Sequence, residues 1–166
     1  MLWDFKDRLQ ASSKQVRNDG GTPEITYYVY DAGGQRVRKV TERTAAPGQT
    51  PSRMNERIYL GGFEIYREYS GDGSTVTLER ETLHVMDDKQ RIALVETKTI
   101  DAGNGINPPT DLLTPILRYQ LSNHLGSASL ELGADGAVLS YEEYHPYGTT
   151  AYQAGRSVAE VSLKRY

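Results

Sequence analysis

The chain has 166 residues, of which 37% are hydrophobic and 25% charged, and its net charge at pH 7 is −3. This length suits one domain of ordinary size. Nucleic-acid binders usually carry a basic surface, and this chain is slightly acidic, so we expect no nucleic-acid partner. No stretch approaches the roughly 20 apolar residues that cross a bilayer, and the absence of cysteine excludes disulfides, thiol nucleophiles and Cys-based zinc sites. The first seven residues, MLWDFKD, carry charges where a secretory signal has its apolar stretch, so we expect no signal peptide in this chain.

Period-2 alternation of apolar and polar residues recurs from end to end and predicts β-hairpins. The first hairpin turns at Gly33-Gly34, and a two-residue loop sets Tyr30 opposite Val37 and Asp31 opposite Arg36. The same register pairs Tyr28 with Lys39, Val29 with Arg38 and Tyr27 with Val40.

A second hairpin turns at Gly61-Gly62 and is predicted to bury one face. That face pairs Leu60 with Phe63 and Ile58 with Ile65, while the opposite face carries Arg57, Tyr59, Glu64 and Tyr66. Two proline-containing segments, 44–53 and 101–115, read as loops.

A further hairpin runs from 75–86 through Asp87-Asp88-Lys89-Gln90 into 91–99. Its second strand contains the run IALV at 92–95, which is apolar on both faces, so we expect this strand to be central in a sheet.

The last hairpin turns at Asp135-Gly136, a sequence typical of a type I′ turn. The predicted register aligns Leu132 with Leu139 and Leu130 with Tyr141. The polar residues of the two strands are then expected to face away from the apolar side: Ser129, Glu131, Ser140 and Glu142.

An aromatic residue followed by a glycine-containing turn recurs at 30–34, 69–73 and 144–148. Such units cannot bury their apolar face alone and must stack on neighbours. The predicted fold is therefore all-β, an antiparallel meander of β-hairpins that forms one domain over residues 1–166.

The turn at Tyr30-Asp31-x-x-Gly34, followed by Arg36-Val37, resembles a YD repeat of the Rhs (rearrangement hotspot) proteins. The run NHLGS at 123–127 and the run YEEYHPYG at 141–148 are similar to the segment just before the Rhs core domain. Among such proteins, the chain most resembles the B and C components of insecticidal toxin complexes. The family usually has Asp where this chain has Asn123 and His145. The matched motif residues, to which we assign a structural role, are Tyr30, Asp31, Gly34, Asn123, His124, Leu125, Gly126, Ser127, Tyr144, Pro146, Tyr147 and Gly148.

The resemblance implies a strip of a β-ribbon that spirals into a hollow shell around a C-terminal toxin. The resemblance also implies that the parent protein is secreted or lies at the cell surface. The partners it implies are the rest of that shell and its toxin cargo. The family's aspartyl self-cleaving activity lies downstream of the matched segment, and its catalytic aspartates have no counterpart positions here. We therefore expect a structural, non-catalytic segment.

No pattern in the sequence predicts a catalytic, cofactor-binding or metal-binding site. The three histidines, at 84, 124 and 145, lack the i,i+4 spacing of metal ligands. Glu142 and Glu143 are adjacent in a strand and point to opposite faces, so they cannot act as a carboxylate pair. Asp87 and Asp88 lie at a predicted hairpin tip, and neither a nucleophile elbow nor a phosphate loop occurs.

Two further hypotheses concern the surface. The tyrosine excess favours, as an alternative function, an extracellular module that binds glycans or cell-wall polymer through exposed Tyr and Arg side chains. Open strand edges and an uncovered apolar face favour a homodimer. The residues expected on that face are Ile58, Leu60, Phe63, Ile65, Leu130, Leu132 and Leu139.

Overall fold

The computed structural model describes residues 1–88, 90–103, 112–123, 128–147 and 149–155. Within these residues the backbone forms twelve β-strands and no helix. In chain order they are β1 (Leu2–Trp3), β2 (Leu9–Ser13), β3 (Ile25–Tyr30), β4 (Arg36–Glu42), β5 (Arg53–Leu60), β6 (Phe63–Tyr69), β7 (Val76–Asp87), β8 (Gln90–Asp101), β9 (Ile116–Ser122), β10 (Ala128–Gly133), β11 (Val138–Tyr144) and β12 (Thr150–Gly155).

The strands form a sheet in which each strand is hydrogen-bonded to its neighbours in the sequence, in the order β1 to β12. Short connections favour this arrangement, because consecutive strands joined by tight turns pair antiparallel. The predicted all-β antiparallel meander is confirmed. Among the residues that the structure describes, no helix has the length and hydropathy needed to cross a membrane.

The chain divides into two compact units. Unit 1 contains Met1–Thr82 and Thr97–Thr114, and unit 2 contains Leu83–Glu96 and Pro115–Tyr166. The long strands β7 and β8 each contribute residues to both units.

The hairpin of β5 and β6 has the predicted register. Ile58 lies opposite Ile65 and Leu60 opposite Phe63, on the face opposite to that of Arg57. Gly61 has a φ of 67°, in the left-handed region where glycine lacks the Cβ clash of other residues.

The hairpin of β3 and β4 keeps the predicted register except next to its turn. The pairs at Tyr27, Tyr28 and Val29 are confirmed, but a bulge sets Tyr30 opposite Arg36. The predicted pairs Tyr30–Val37 and Asp31–Arg36 are therefore wrong. The loop contains three residues rather than two, a type I turn followed by a glycine with positive φ, and the extra residue shifts the pairing by one.

The hairpin of β10 and β11 shows the same correction. Leu130 lies opposite Tyr141 as predicted, but a bulge sets Leu132 opposite Val138 instead of Leu139. Gly136 has a φ of 76°, whereas Asp135 is absent from the described residues with positive φ, so the type I′ interpretation is wrong.

The turn between β7 and β8 and the connection from β4 to β5 lie close to their predicted positions. Asp88 occupies the turn between β7 and β8 with a φ of 51°, and Lys89 lies outside the described residues. The connection from β4 to β5 spans residues 43–52 and is closed by the Arg43 N–H, which donates to the Ser52 carbonyl at 2.8 Å. Residues 104–111 of the predicted loop 101–115 lie outside the described residues.

Burial in this sheet favours polar side chains. The buried hydrophobic residues of the described chain are Ala11, Ala45, Tyr69, Ala93 and Leu139, whereas the buried polar ones are Thr41, Glu56, Thr82, Arg118, Gln120, Glu131, Ser140 and Glu142. Glu131 and Ser140 pair with each other on the face away from Leu130 and Tyr141, as predicted, but Glu131, Ser140 and Glu142 are buried on that face. Leu139 is buried and does not belong to the uncovered face, whereas Leu60 is 58% exposed. Long polar side chains on adjacent strands of the described sheet cover one another.

Candidate interaction site: turn motifs and buried polar networks

The YD motif around Tyr30 is a turn in which each motif residue has a separate structural task. The Asp31 N–H donates to the Gln35 carbonyl at 2.9 Å, and the Gly34 N–H donates to the Asp31 carbonyl at 3.1 Å. The Asp31 carboxylate accepts the Gln35 N–H at 2.9 Å, and Gly34 has a φ of 86°. The Tyr30 hydroxyl donates to the Leu9 carbonyl on β2 at 3.0 Å. The tyrosine thus joins two hairpins, the aspartate closes the turn, and the glycine supplies its left-handed residue.

The same turn occurs at residues 4–8, which the sequence pattern did not predict. The Asp4 N–H donates to the Arg8 carbonyl, the Asp7 N–H donates to the Asp4 carbonyl, and the Asp4 carboxylate accepts the Arg8 N–H at 3.0 Å. Asp7 has a φ of 57° and stands where the other turn has Gly34. The sequence carries part of the motif here: the aromatic Trp3 directly precedes Asp4, as Tyr30 precedes Asp31, but the glycine of the motif is missing.

The later motif residues lie around β9, β11 and the turn after β11. The His145 N–H donates to the Thr149 carbonyl at 2.7 Å, which repeats the closure of the YD turn. The Tyr144 hydroxyl donates to Glu142 at 3.0 Å, and Pro146 and Tyr147 form the exposed turn. Asn123 directly follows β9. Five predicted motif residues lie outside the described residues: His124, Leu125, Gly126, Ser127 and Gly148.

Glu56 is the centre of a polar network in unit 1. Its side chain is 3% exposed, and its carboxylate accepts hydrogen bonds from Arg38 at 2.6 Å, Arg67 at 3.4 Å and the Tyr69 hydroxyl at 2.5 Å. Burial alone would raise the pKa of Glu56, but the hydrogen bonds from Tyr69 and Arg38 and the positive charge of Arg38 hold this pKa below its ordinary value.

Arg67 extends this network to the next strands. Its Nε donates to Glu79 on β7 at 2.5 Å, and Glu79 also accepts the Thr99 hydroxyl on β8 at 2.7 Å. Burial raises the pKa of Glu79, and the hydrogen bonds from Arg67 and Thr99 outweigh that effect and lower it. The network therefore links four consecutive strands, β5 to β8.

Arginine side chains lie over several tyrosine rings of unit 1. The Arg36 guanidinium lies 5.8 Å from the ring centroid of Tyr28 and 5.0 Å from that of Tyr59. Arg57 lies 5.2 Å from the ring centroid of Tyr66, within the range of cation–π attraction. Burial and the nearby charge of Glu68 raise the pKa of Tyr66 to about 12, so its hydroxyl stays protonated and donates to Glu68.

Glu131 is the centre of a second network, in unit 2. Its side chain is 1% exposed, and its two oxygens accept hydrogen bonds from Gln120 at 2.7 Å and from the Ser140 hydroxyl at 2.8 Å. Gln120 in turn accepts from the Arg91 Nε at 2.5 Å. Both oxygens of this buried carboxylate are hydrogen-bonded, and the network joins side chains of β9, β10 and β11.

Arg118 lies on β9, in the same unit, and is 4% exposed. Its cross-strand partners are Leu94 on β8 and Gly133 on β10. Its Nε and Nη1 atoms are buried and have no hydrogen-bond acceptor in the described part of the chain.

The carboxylates of these networks serve structure, since donors hold them in place. Glu142 is buried and accepts hydrogen bonds from Tyr144 and Thr150, whereas Glu143 is exposed and accepts from Tyr141. Adjacent residues of a strand point to opposite faces, so the Glu142 and Glu143 side chains do not share a site. Among the described residues, no group of three or more His, Asp or Glu side chains could hold a metal ion.

Comparison with known proteins relates the whole chain to toxin subunits. The chain is 32% identical over 166 residues to the toxin subunit YenC1 of Yersinia entomophaga and 31% identical over 165 residues to the toxin subunit YenC2 of the same organism. These alignments cover 100% and 99% of this chain but only 16% of each relative. No family profile matches the chain.

Solved structures give the same result. The fold matches the crystal structure of TcdB2-TccC3 with a TM-score of 0.77 and 26% identity, over 98% of this chain and 7% of that one. The match to TcdB2-TccC3-TEV has the same TM-score and 27% identity. The resemblance to toxin-complex proteins is confirmed. The chain is thus similar to one-sixth or less of the length of its toxin-complex relatives.

Proposed function

We propose that this chain is a structural, non-catalytic segment of a toxin-complex shell that encloses a C-terminal toxin. The observation that carries this proposal is the strand order. Twelve described strands follow one another in sequence order in a sheet, and that sheet matches 7% of the TcdB2-TccC3 chain. A sheet of this kind lengthens by adding hairpins at either edge, as a wall built from repeats requires.

The partners that fit this proposal are the rest of the shell and its toxin cargo, within a secreted parent protein. The first and last strands of the described sheet, β1 and β12, each pair on one side only. Every residue of β12 is exposed. Unpaired strand edges offer N–H and C=O groups that a neighbouring strand satisfies.

Protease protection of the cargo tests the shell function. The reading frame around this chain is expressed with its downstream region, and the purified polypeptide is treated with protease. We expect the downstream region to resist cleavage. Deletion of the β5–β6 hairpin should expose it, whereas the exposed substitution Glu143→Gln should not. Cleavage of the downstream region at equal rates in all three polypeptides would contradict the proposal.

The non-catalytic role is supported by the carboxylates of the two networks, which hydrogen bonds hold in place. Purified chain incubated alone should keep one mass in mass spectrometry. Self-cleavage that disappears on substitution of a single aspartate of the chain would overturn this part of the proposal.

Glycan or cell-wall binding is the second candidate function, and specific tyrosines of unit 2 favour it. Tyr147 is 98% exposed and Tyr152 is 55% exposed, and the rings of Tyr141 and Tyr152 lie 6.4 Å apart. Tyr59 and Tyr66 of unit 1 offer less, because arginines already lie over their rings. Polysaccharide binding that is lost in Tyr152→Ala but kept in Tyr28→Ala would favour this function over the shell.

A further inference from the structure

We propose that Arg36 and Lys39 of unit 1 form a binding site for a phosphate monoester from outside the chain. The inference goes beyond the proposed shell function and does not depend on it. It rests on two cations of β4, of which Arg36 is exposed and Lys39 half-buried. Neither forms an ion pair with a carboxylate in the part of the chain that the structure describes.

Two tyrosine rings restrain the Arg36 guanidinium. It lies 5.8 Å from the ring centroid of Tyr28 and 5.0 Å from that of Tyr59, both within the range of cation–π attraction. Tyr28 belongs to β3 and Tyr59 to β5, the strands on either side of β4. A side chain that is already restrained loses less conformational entropy when it binds a ligand, so Arg36 is preorganised for one.

Lys39 faces a like charge on the same side of the sheet. Its cross-strand neighbours are Tyr28 on β3 and Arg57 on β5, and like charges directly opposite each other destabilise a sheet. Arg57 has a carboxylate partner, Glu64, at 2.8 Å, whereas Lys39 has none among the described residues. Such a local conflict is typical of functional sites, where a ligand supplies the missing charge.

Other stacked arginines of unit 1 carry their own compensating charge. The Arg8 guanidinium lies 5.1 Å from the ring centroid of Tyr30 and pairs with Asp4 at 2.8 Å. Arg57 lies over Tyr66 and pairs with Glu64. Arg36 stacks in the same way but lacks the carboxylate, so an external anion is the group that completes it.

The number of uncompensated charges favours a phosphate monoester. Such a group carries a charge of about −2 at pH 7 and three acceptor oxygens. Arg36 offers a planar fork of donors and Lys39 a point charge, and both recognise phosphate. A single carboxylate would use both oxygens on the arginine fork and leave Lys39 without a partner.

An NMR titration of the 166-residue chain with phenyl phosphate, followed at the amides of β4, tests the site. We expect saturable binding that is about fivefold tighter than that of phenyl sulfate, which has the same shape and one unit of charge less. Arg36→Gln and Lys39→Gln should each weaken binding by about tenfold. The matched control is Lys14→Gln, which removes the same charge from an ion pair with Glu24 and should leave the affinity unchanged.

Stability without phosphate gives a second measurement. Lys39→Gln removes the repulsion by Arg57, so we expect a higher urea midpoint in sodium chloride although phosphate binding is weakened. A lysine that served only the fold would give a lower midpoint, and that result would overturn the assignment of Lys39.

Two results of the titration would overturn the inference. One is the absence of saturable binding to the wild type. The other is an equal loss of affinity in Lys14→Gln, Lys39→Gln and Arg36→Gln, because only a general attraction between charges would then remain.

Vesicle sedimentation distinguishes the sources of the phosphate. The chain is mixed with phosphatidylcholine vesicles that contain either phosphatidic acid, a monoester, or phosphatidylglycerol at equal charge. Sedimentation with phosphatidic acid alone, lost in Arg36→Gln, assigns the phosphate to a lipid. Binding of phenyl phosphate without sedimentation assigns it to a soluble phosphate ester. Equal sedimentation with both vesicles, unchanged in Arg36→Gln, contradicts a specific site.

Discussion

Asp31 and Gly34 stabilise the same turn by different means. The aspartate accepts the Gln35 N–H, and the glycine adopts a φ of 86°. A Cβ built at Gly34 meets nothing within 4 Å. The cost of any side chain at this position is therefore conformational and not steric.

Gly34→Ala should lower the free energy of unfolding by about 1 kcal/mol, because alanine is strained in the left-handed region. Gly33→Ala is the matched control in the same turn. Its φ is not positive, and its Cβ would lie 3.4 Å from Asp31, an ordinary contact, so we expect a change within about 0.5 kcal/mol. Urea unfolding measures both, and equal losses would contradict the assigned turn.

Glu56 and Glu79 make stability depend on acid pH. Their folded-state pKa values lie below the ordinary value of 4.5. The folded chain therefore binds fewer protons than the unfolded chain near that pH. The stabilisation is present above pH 4.5 and is lost as the pH falls through the folded-state pKa values.

Glu56→Gln should lower the unfolding free energy at neutral pH by about 2 kcal/mol, since charged hydrogen bonds to two arginines are weakened. It should also flatten the decline in stability as the pH falls below about 4.5. Denaturant unfolding at several pH values measures this, with the exposed Glu143→Gln as control. A decline as steep as that of the wild type would show that Glu56 is not responsible.

At the scale of elements, the hairpins differ in how well their register could be predicted. The β5–β6 register follows from the sequence because Gly61-Gly62 forms a two-residue loop. Gly34 and Gly136 instead end three-residue loops, and the sequence does not distinguish these two uses of glycine. The burial of Glu131 could not be predicted, because its partners Gln120 and Ser140 come from other strands. The bulge next to Leu132 also shifts the pairing, so cross-strand partners cannot be found by counting residues from the turn. The motif residues Tyr30 and Asp31 were recognisable by resemblance, but the roles of their side chains depend on contacts with Leu9 and Gln35 that the motif does not specify.

The hairpin of β1 and β2 offers a test of the recurrent turn. Asp7 adopts a φ of 57°, a region that glycine occupies without strain. Asp7→Gly should stabilise this hairpin by about 0.5 kcal/mol and slow the hydrogen exchange of the β2 amides about twofold. Asp7→Ala should speed the exchange instead. If both variants behave alike, the residue is not a counterpart of Gly34.

At the scale of the whole molecule, open edges and exposed apolar side chains favour self-association. Leu60, Leu121 and Val138 are about half exposed, and β12 is exposed along its length. We predict a concentration-dependent homodimer in light scattering, because unpaired strand edges recruit the strands of a second copy. Tyr152→Lys places a charge on β12 and should shift the chain toward monomer. A strict monomer at all concentrations would contradict the prediction.

Strict sequence order in the sheet has a consequence for how such a chain is made. Each strand of the described sheet finds its partner among the residues just before or just after it. Contacts of short sequence separation form early, because little loop entropy is lost in forming them. Each hairpin can therefore pair as it leaves the ribosome, and the nascent chain does not have to wait for distant segments.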